Sequence, residues 1–419
     1  MSFVAAAPAS AVTGPRLSTE TLRGALLWLA AFSGAFVFIE PSPYEVVGLI
    51  TIVVFALTGL SLPRTLAPLL LLLVLLDIGY ATALVQVINQ PKPVIWVCVS
   101  AYLAVTAIFY AGMLGTNTER RLDSLMRGYV AAAVIASLVG IGGYFHAFGQ
   151  LSDMFLLYDR ARGTFNDPNV LGAFVILPGL LAFQRVLVGR PSDILRGGLV
   201  LLVLMAGLLL SFSRGAWAQF ALCAMLLMGL TFITSRSPTQ RVRIITMALL
   251  GAFVLAALLV ALLSIGKVAQ LFEVRASLEQ SYDIGHLGRF GRYFLGVQMA
   301  LDQPFGIGPL QFNRFFFEDP HNTYLNTFMS GGWLGGIAYL TLVLVTVMFG
   351  ARFITAATPW RPTYQAVYVA YLGTVGESAI IDIDHWRHYY LILGVLWGLM
   401  AASWSYSRSP YAGSHRSSA

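Results

Sequence analysis

Charge is what this sequence has least of. Only 11% of its 419 residues are Asp, Glu, Lys or Arg, against about 25% in a soluble domain, which excludes a water-facing globular surface. Lysine is nearly missing: Lys92 and Lys267 are the two present, and arginine supplies the rest of the +7 formal charge. The two cysteines, Cys98 and Cys223, sit inside apolar runs, so neither a disulfide framework nor a zinc site is expected. No repeat of the solenoid or inverted-repeat transporter kind is found. What remains is 58% hydrophobic with a mean hydropathy of +0.75. That composition fits a polytopic membrane protein, and its net charge has to be read loop by loop rather than as a nucleic-acid signal.

A membrane helix needs about 20 mostly apolar residues. About twelve stretches meet that need, near 22–39, 44–61, 66–86, 94–114, 128–148, 169–187, 196–212, 214–234, 243–264, 323–350, 364–381 and 388–405. The expected fold is therefore all-α, a polytopic membrane domain over 22–405. Residues 1–21 and 406–419 are small and polar and are expected to be disordered cytoplasmic ends. No cleavable signal peptide is expected, because more apolar segments follow the first at once. Arginines alternate from loop to loop, and with both termini inside, the inner loops hold most of them. Most carboxylates, from Glu40 and Glu45 to Asp382 and Asp384, then fall outside. This topology puts the one long polar interruption, 265–322, on the periplasmic face. It is too rich in aromatics and glycine turns for a disordered tail, and reads as a folded, partly helical lid.

Three helices running inward from that face open on cap signals. Span six begins RGTFNDPNVLG, with Asp167 placed to cap and Pro168 in the first turn. Span eight begins FSRGAWAQF, with Ser213 as cap and Arg214 just inside. Span ten begins FEDPHNTYLN, where the spacing predicts Asp319 as cap, Pro320 in the first turn and His321 next. Helix N-termini favour anions. With Arg162 and Arg214 added, the outer mouth suits a phosphate or diphosphate, which the planar guanidinium fork pairs bidentately. In the loop, 287–301 predicts a helix with Phe290, Phe294, Val297 and Leu301 on one side, and Arg289 and Arg292 on a neighbouring one. A helix N-terminus disfavours imidazolium, so His321 is expected neutral and able to take a proton from an attacking hydroxyl. Arginines on a leaving diphosphate beside a histidine base suggest glycosyl transfer from a lipid diphosphate.

Each residue has a plainer reading. Arg214 could close a turn or snorkel to headgroups, Arg162 could pair with Asp159 or Asp167, and one of Arg289 and Arg292 could be a surface charge. His321 could simply cap or hydrogen-bond. Asp77, within an apolar helix, calls for a hydrogen-bond partner. Asp382, Asp384, His385 and His388 gather in the last outer loop, but Arg387 beside them opposes a cation, so a structural network or a substrate contact is preferred to a metal site.

The motifs RGTFNDPN, SFSRGAW, GRFGRYFLGVQMALDQPFGIG and HNTYLNTFMSGGWLGG, in this order with a long loop ahead of the histidine, resemble the O-antigen ligase and Wzy polymerase superfamily, bacterial inner-membrane proteins of the GT-C type. The resemblance is strong over 163–336 and rests on topology alone before that. It implies a glycan donor on undecaprenyl diphosphate. The acceptor is a sugar hydroxyl of lipid A–core for a ligase, or a second lipid-linked glycan for a polymerase. It implies an inverting, metal-independent transfer with no cofactor, no nucleic acid and membrane lipids as surroundings. The SRG arginine carries over to Arg214, the loop arginine four residues before an aromatic (here Tyr293) to Arg289, and the HN histidine to His321. Arg162, Arg292, Asn169, Asn322 and Tyr293 are the accompanying substrate contacts, with Arg292 the other choice for the main loop arginine. A lipid-glycan flippase or an assembly subunit without chemistry is the rival class.

Overall fold

The computed structural model describes residues 18–38, 41–235, 237–276, 288–316 and 318–408. Residues 1–17 and 409–419, most of the two ends read as disordered, lie outside it, as do 277–287 of the loop. The described chain is almost wholly helical, as an apolar chain must be when its backbone groups have no water to bond. The helices are α1 (Thr19–Ser33), α2 (Pro43–Thr58), α3 (Ala67–Leu84), α4 (Pro91–Met113), α5 (Thr118–Tyr144), α6 (Pro168–Val188), α7 (Pro191–Leu210), α8 (Arg214–Thr234), α9 (Pro238–Leu263), α10 (Gly266–Ala276), α11 (Arg289–Asp302), α12 (Thr323–Ala351), α13 (Arg361–Glu377) and α14 (Arg387–Ser407). Helices α10 and α11 belong to the loop. The other twelve fall on the twelve apolar stretches. Among the described residues, nine helical segments are long and apolar enough to cross a membrane. Helices α1, α2 and α13, of 15, 16 and 17 residues, fall short of that measure.

Burial separates the centre of the bundle from its edge. The apolar window of α6 is 78% buried and that of α14 72%, whereas α9 is 6% buried despite being the most apolar. Helix α6 packs on α7, α8 and α13; α14 runs along α4, and α12 along α3. The last pair touches backbone to backbone. A Cβ on Gly79 would lie 2.5 Å from the Gly335 amide and 2.8 Å from the Gly331 carbonyl.

Helix α12 is broken at Gly332, whose φ of 62° and ψ of −165° are non-helical. The loop turn after α11 fills the break. Ile307 N–H donates to the Met329 carbonyl at 2.8 Å, and Trp333 N–H donates to the Pro304 carbonyl at 2.9 Å. Trp333 Nε1 adds a bond to the Ala300 carbonyl at 2.8 Å. The backbone groups that the break frees are thus paired within the protein, the condition for tolerating one at membrane depth. Glycine is needed on both sides. Gly306 has φ 73°, and a Cβ there would meet the Met329 carbonyl at 2.6 Å. The PFGIG and SGGW motifs are therefore one mechanical unit, joining the loop to the short first half of α12.

The only described strands are β1 (Leu156–Leu157) and β2 (Arg160–Ala161), an antiparallel hairpin ahead of α6. Its two turn residues, Tyr158 and Asp159, both have positive φ (51° and 56°), the conformation that two-residue hairpin loops demand.

Candidate active site

Where α6, α8 and α12 begin and α13 ends, a cavity of about 390 Å³ opens, within the usual range for ligand sites. Its cations are Arg160, Arg214 and Arg275, its acids Asp167, Glu377 and Asp382, and His321 shares the wall.

Two of the helix starts are built as the sequence suggests. Asp167 caps α6, its Oδ1 accepting the Asn169 amide at 2.6 Å with Pro168 in the first turn. Ser213 caps α8, accepting the Ala216 amide at 3.5 Å. Arg214 is then the first residue of α8, where the helix dipole opposes a cation. A guanidinium held there, on a cavity wall, is suited to an incoming anion.

The third helix start differs. The N-cap of α12 is Asn322, whose Oδ1 accepts the Leu325 amide at 3.0 Å, and the helix begins at Thr323. Asp319 is not the cap, and Pro320 and His321 precede the helix. The reason is tertiary: the carboxylate of Asp382, from the turn between α13 and α14, takes the His321 amide on Oδ2 at 3.1 Å and the Asn322 amide on Oδ1 at 3.0 Å. His321 has φ 48°, which turns its ring back over that carboxylate, with Nδ1 3.8 Å from Oδ2. The Tyr293 hydroxyl donates to the His321 carbonyl at 2.9 Å. The histidine backbone is thus held from both sides, by α11 and by the α13–α14 turn. Burial, then the neighbouring carboxylates Asp384 and Asp319, push Asp382 well above the usual carboxylate range, against the pull of the two amides. Asp319 is raised too, chiefly by burial.

The hairpin contributes Arg160 rather than Arg162. Arg160 is 7% exposed. Its Nε donates to the Ser211 carbonyl and one Nη to Asn169 Oδ1, both at 2.8 Å. This joins the starts of α6 and α8 behind the cavity. Asn169 lines the same cavity. Arg162 is not among the lining residues; its Nε and Nη2 donate to the Met154 carbonyl at 3.2 and 3.0 Å. Strand β2 ends at Ala161 and the chain turns at Gly163 (φ 56°), where a Cβ would strike the Ala136 carbonyl.

The loop contributes Arg275, in the last turn of α10. One turn earlier, Phe272 stacks on Trp217 of α8 at 5.5 Å, and Lys267 pairs with Asp159 at 3.3 Å. These contacts dock α10 over the cavity. Arg275 Nε is buried with no hydrogen-bond partner among the described residues. Helix α11 opens at Arg289, whose side chain lies outside the described part of the structure. Arg292 does not line the cavity and is no surface charge either: it is 4% exposed and pairs with Glu318 at 2.8 Å. Phe294, Val297 and Leu301 are exposed. Between α11 and α12 lies a second, mainly apolar cavity of about 310 Å³ that includes Tyr293, Asn322, Phe328 and Trp333.

The other acids and histidines of the last turn take separate partners, although Asp384 Oδ1 and His385 Nδ1 stay 3.7 Å apart. Asp384 accepts from Asn326 at 2.8 Å, His385 Nε2 bonds the Trp96 carbonyl at 3.0 Å, and His388 is buried against Phe174 and Trp386. Among the described residues no group of three or more His, Cys, Asp or Glu is arranged to hold a metal ion. Asp77 has its partner, the Ser100 hydroxyl at 2.8 Å.

An all-helical multi-pass membrane protein with a cationic cavity under a docked loop is the class that fold and site define. Residues 199–340 match the family model described as O-Antigen ligase, and over that segment the chain is similar to the O-antigen ligase and Wzy polymerase superfamily that its motifs resemble. The proteins of that family are of ligase or polymerase type and act in glycan assembly. No curated protein matches the chain. Arg214, Arg275 and His321 fall inside the matched segment; Arg160, Glu377 and Asp382 fall outside it.

Proposed function

We propose that the protein is an O-antigen ligase-like glycan transferase. It would move a glycan from an undecaprenyl-diphosphate donor to a sugar hydroxyl of lipid A–core, on the periplasmic face of the bacterial inner membrane. The observation that carries this reading is that Arg214 and His321, more than a hundred residues apart in sequence, line one cavity. Arg214, Arg160 and Arg275 bind the diphosphate, together with the loop arginine Arg289. His321 takes the proton of the acceptor hydroxyl. The hydroxyl oxygen bonds to the anomeric carbon from the face opposite the diphosphate, and the C–O bond to the diphosphate breaks. The diphosphate leaves with the electron pair, its charge met by the arginines; attack from the opposite face inverts the anomeric centre. Asp382 keeps the imidazole in place. The apolar cavity between α11 and α12 suits the polyprenyl chain of the donor, and loop arginine asymmetry supports the periplasmic orientation.

The test is deletion of the gene followed by a lipopolysaccharide gel, with wild-type, Arg214→Ala and His321→Ala chains returned on a plasmid. Loss of all capped chains, restored by wild type alone, is the expected result. Single-repeat chains would instead make the protein a polymerase, and full activity in either variant would remove the mechanism.

A further inference from the structure

Glu377, the last residue of α13, is 6% exposed yet lines the arginine cavity. No described lysine or arginine lies within ion-pair distance of it. A buried carboxylate without a cation is costly and calls for a reason. Its placement is built rather than incidental. Helices α8 and α13 run antiparallel in close contact, and the small residues of one face the functional groups of the other. A Cβ on Gly373 would meet Cys223 Sγ at 2.4 Å and Gln219 Cγ at 2.9 Å. The Cys223 thiol reaches the Val369 carbonyl at 3.3 Å. With its amide turned so that the oxygen faces the Thr374 donors, Gln219 donates to Glu377 Oε2 at 2.8 Å. The other oxygen, Oε1, lies 2.9 Å from where a Cβ on Gly215 would be. The glycine after Arg214 therefore makes room for this carboxylate beside the first turn of α8.

We propose that Glu377 is a sugar-recognition residue of the transferase site, accepting a hydrogen bond from a hydroxyl of the hexose bound between the arginines and His321. This rests on the transferase reading above. An acid with no cation beside it is a poor partner for the diphosphate oxygens, so Glu377 serves the uncharged part of the substrates, and hydroxyls are the donors a sugar presents. One oxygen is fixed by Gln219, which leaves the second, at a set angle over Gly215, to read the sugar. That hexose belongs either to the donor or to the acceptor, and the same chemistry serves both.

The experiment uses the full chain in detergent micelles and two probes: farnesyl diphosphate, which has anion and tail, and the same lipid carrying one hexose on its diphosphate. Dissociation constants are measured for both, and KM and kcat for an acceptor oligosaccharide. Glu377→Gln should leave farnesyl diphosphate binding within about twofold. It should weaken one sugar-dependent quantity by roughly 10- to 100-fold, the loss expected when one hydrogen bond to a buried polar group goes. A loss in hexosyl-lipid affinity assigns the donor sugar; a rise in acceptor KM assigns the acceptor. Gly215→Ala, which displaces Oε1 while keeping the acid and favouring the helix, should show the same split, so poor folding of Glu377→Gln does not end the test. Unchanged sugar-dependent quantities in both variants, or an equal loss of farnesyl diphosphate binding, overturns the inference. If the wild-type chain binds neither probe, the transferase reading falls first and takes this one with it.

Discussion

The carboxylate of Asp382 accepts the backbone amides of both His321 and Asn322, at 3.1 and 3.0 Å. A side chain sixty residues downstream thus does what a local cap would do at the start of α12, while also facing the His321 ring. Replacing it with alanine leaves two part-buried amides without an acceptor, at roughly 1–3 kcal/mol each, and frees the imidazole from its set orientation. Asp382→Ala should lower kcat by about 100-fold, as expected for a misplaced base. Asp382→Asn, which still offers one carbonyl, should fall between. Turnover of the purified variants checks this, and a wild-type rate in Asp382→Ala would detach Asp382 from the mechanism.

The same residue gives a pH dependence of stability. Burial and the Asp384 and Asp319 carboxylates hold Asp382 well above its ordinary value of 3.8, so the folded chain keeps a proton that the unfolded chain has released. This stabilising contribution is complete below the ordinary carboxylate range and is lost as pH rises from there toward the raised value. The melting temperature in detergent should therefore decline as pH rises above about 4 in the wild type, and decline less in Asp382→Asn. Parallel melting curves for the two proteins would refute the shift.

Apolar length and cap chemistry are local, and these were legible in the sequence. The twelve apolar stretches are helices, and Asp167 with Pro168 and Ser213 open α6 and α8 where their spacing says. The start of α12 was not legible, although FEDPHN looks like FNDPN, because its amides are taken by Asp382 from a distant turn. Nor could the sequence rank Arg160 over Arg162. Two residues apart on a hairpin, they are separated only by where β2 ends and where Gly163 must bend away from Ala136. Glu377 reads as one more residue near a helix end until α8 is packed against it. The paired glycines of SGGW resemble a small-residue packing face, and the turn from Pro304 to Ile307 is what shows them to be a break.

The two hairpin arginines give a sharp contrast. Arg160 lines the cavity and bonds the Ser211 carbonyl and Asn169, whereas Arg162 reaches only backbone carbonyls outside it. Arg160→Ala should lower transfer by roughly 100- to 1,000-fold, the scale for losing a charged hydrogen-bond donor to a leaving group. Arg162→Ala should stay within a few-fold of wild type. The check is transfer from a lipid diphosphate donor by the two purified variants, and the reverse ranking would return the anion site to Arg162.

The break in α12 makes the last prediction. At Gly332 (φ 62°) a Cβ would lie 2.5 Å from the Pro304 carbonyl and 2.7 Å from the Phe305 carbonyl carbon, so alanine meets both a strained backbone and a clash. Relief requires the Pro304–Ile307 turn to withdraw, which gives up the bonds from Ile307 to Met329 and from Trp333 to Pro304. The short half of α12, with His321 just ahead of it, would then lose the contact that fixes its angle to the rest of the helix. Gly332→Ala should destabilise by about 2–4 kcal/mol and reduce turnover even at temperatures where the chain stays folded. Gly251→Ala is the control, since among the described residues nothing beyond its own helix backbone lies within 4 Å of its would-be Cβ and alanine favours an exposed helix; it should melt at or above the wild-type temperature. Thermal melts and transfer rates of the two variants, measured side by side, decide it: if Gly332→Ala melts and turns over like wild type, the loop turn does not hold the half-helix.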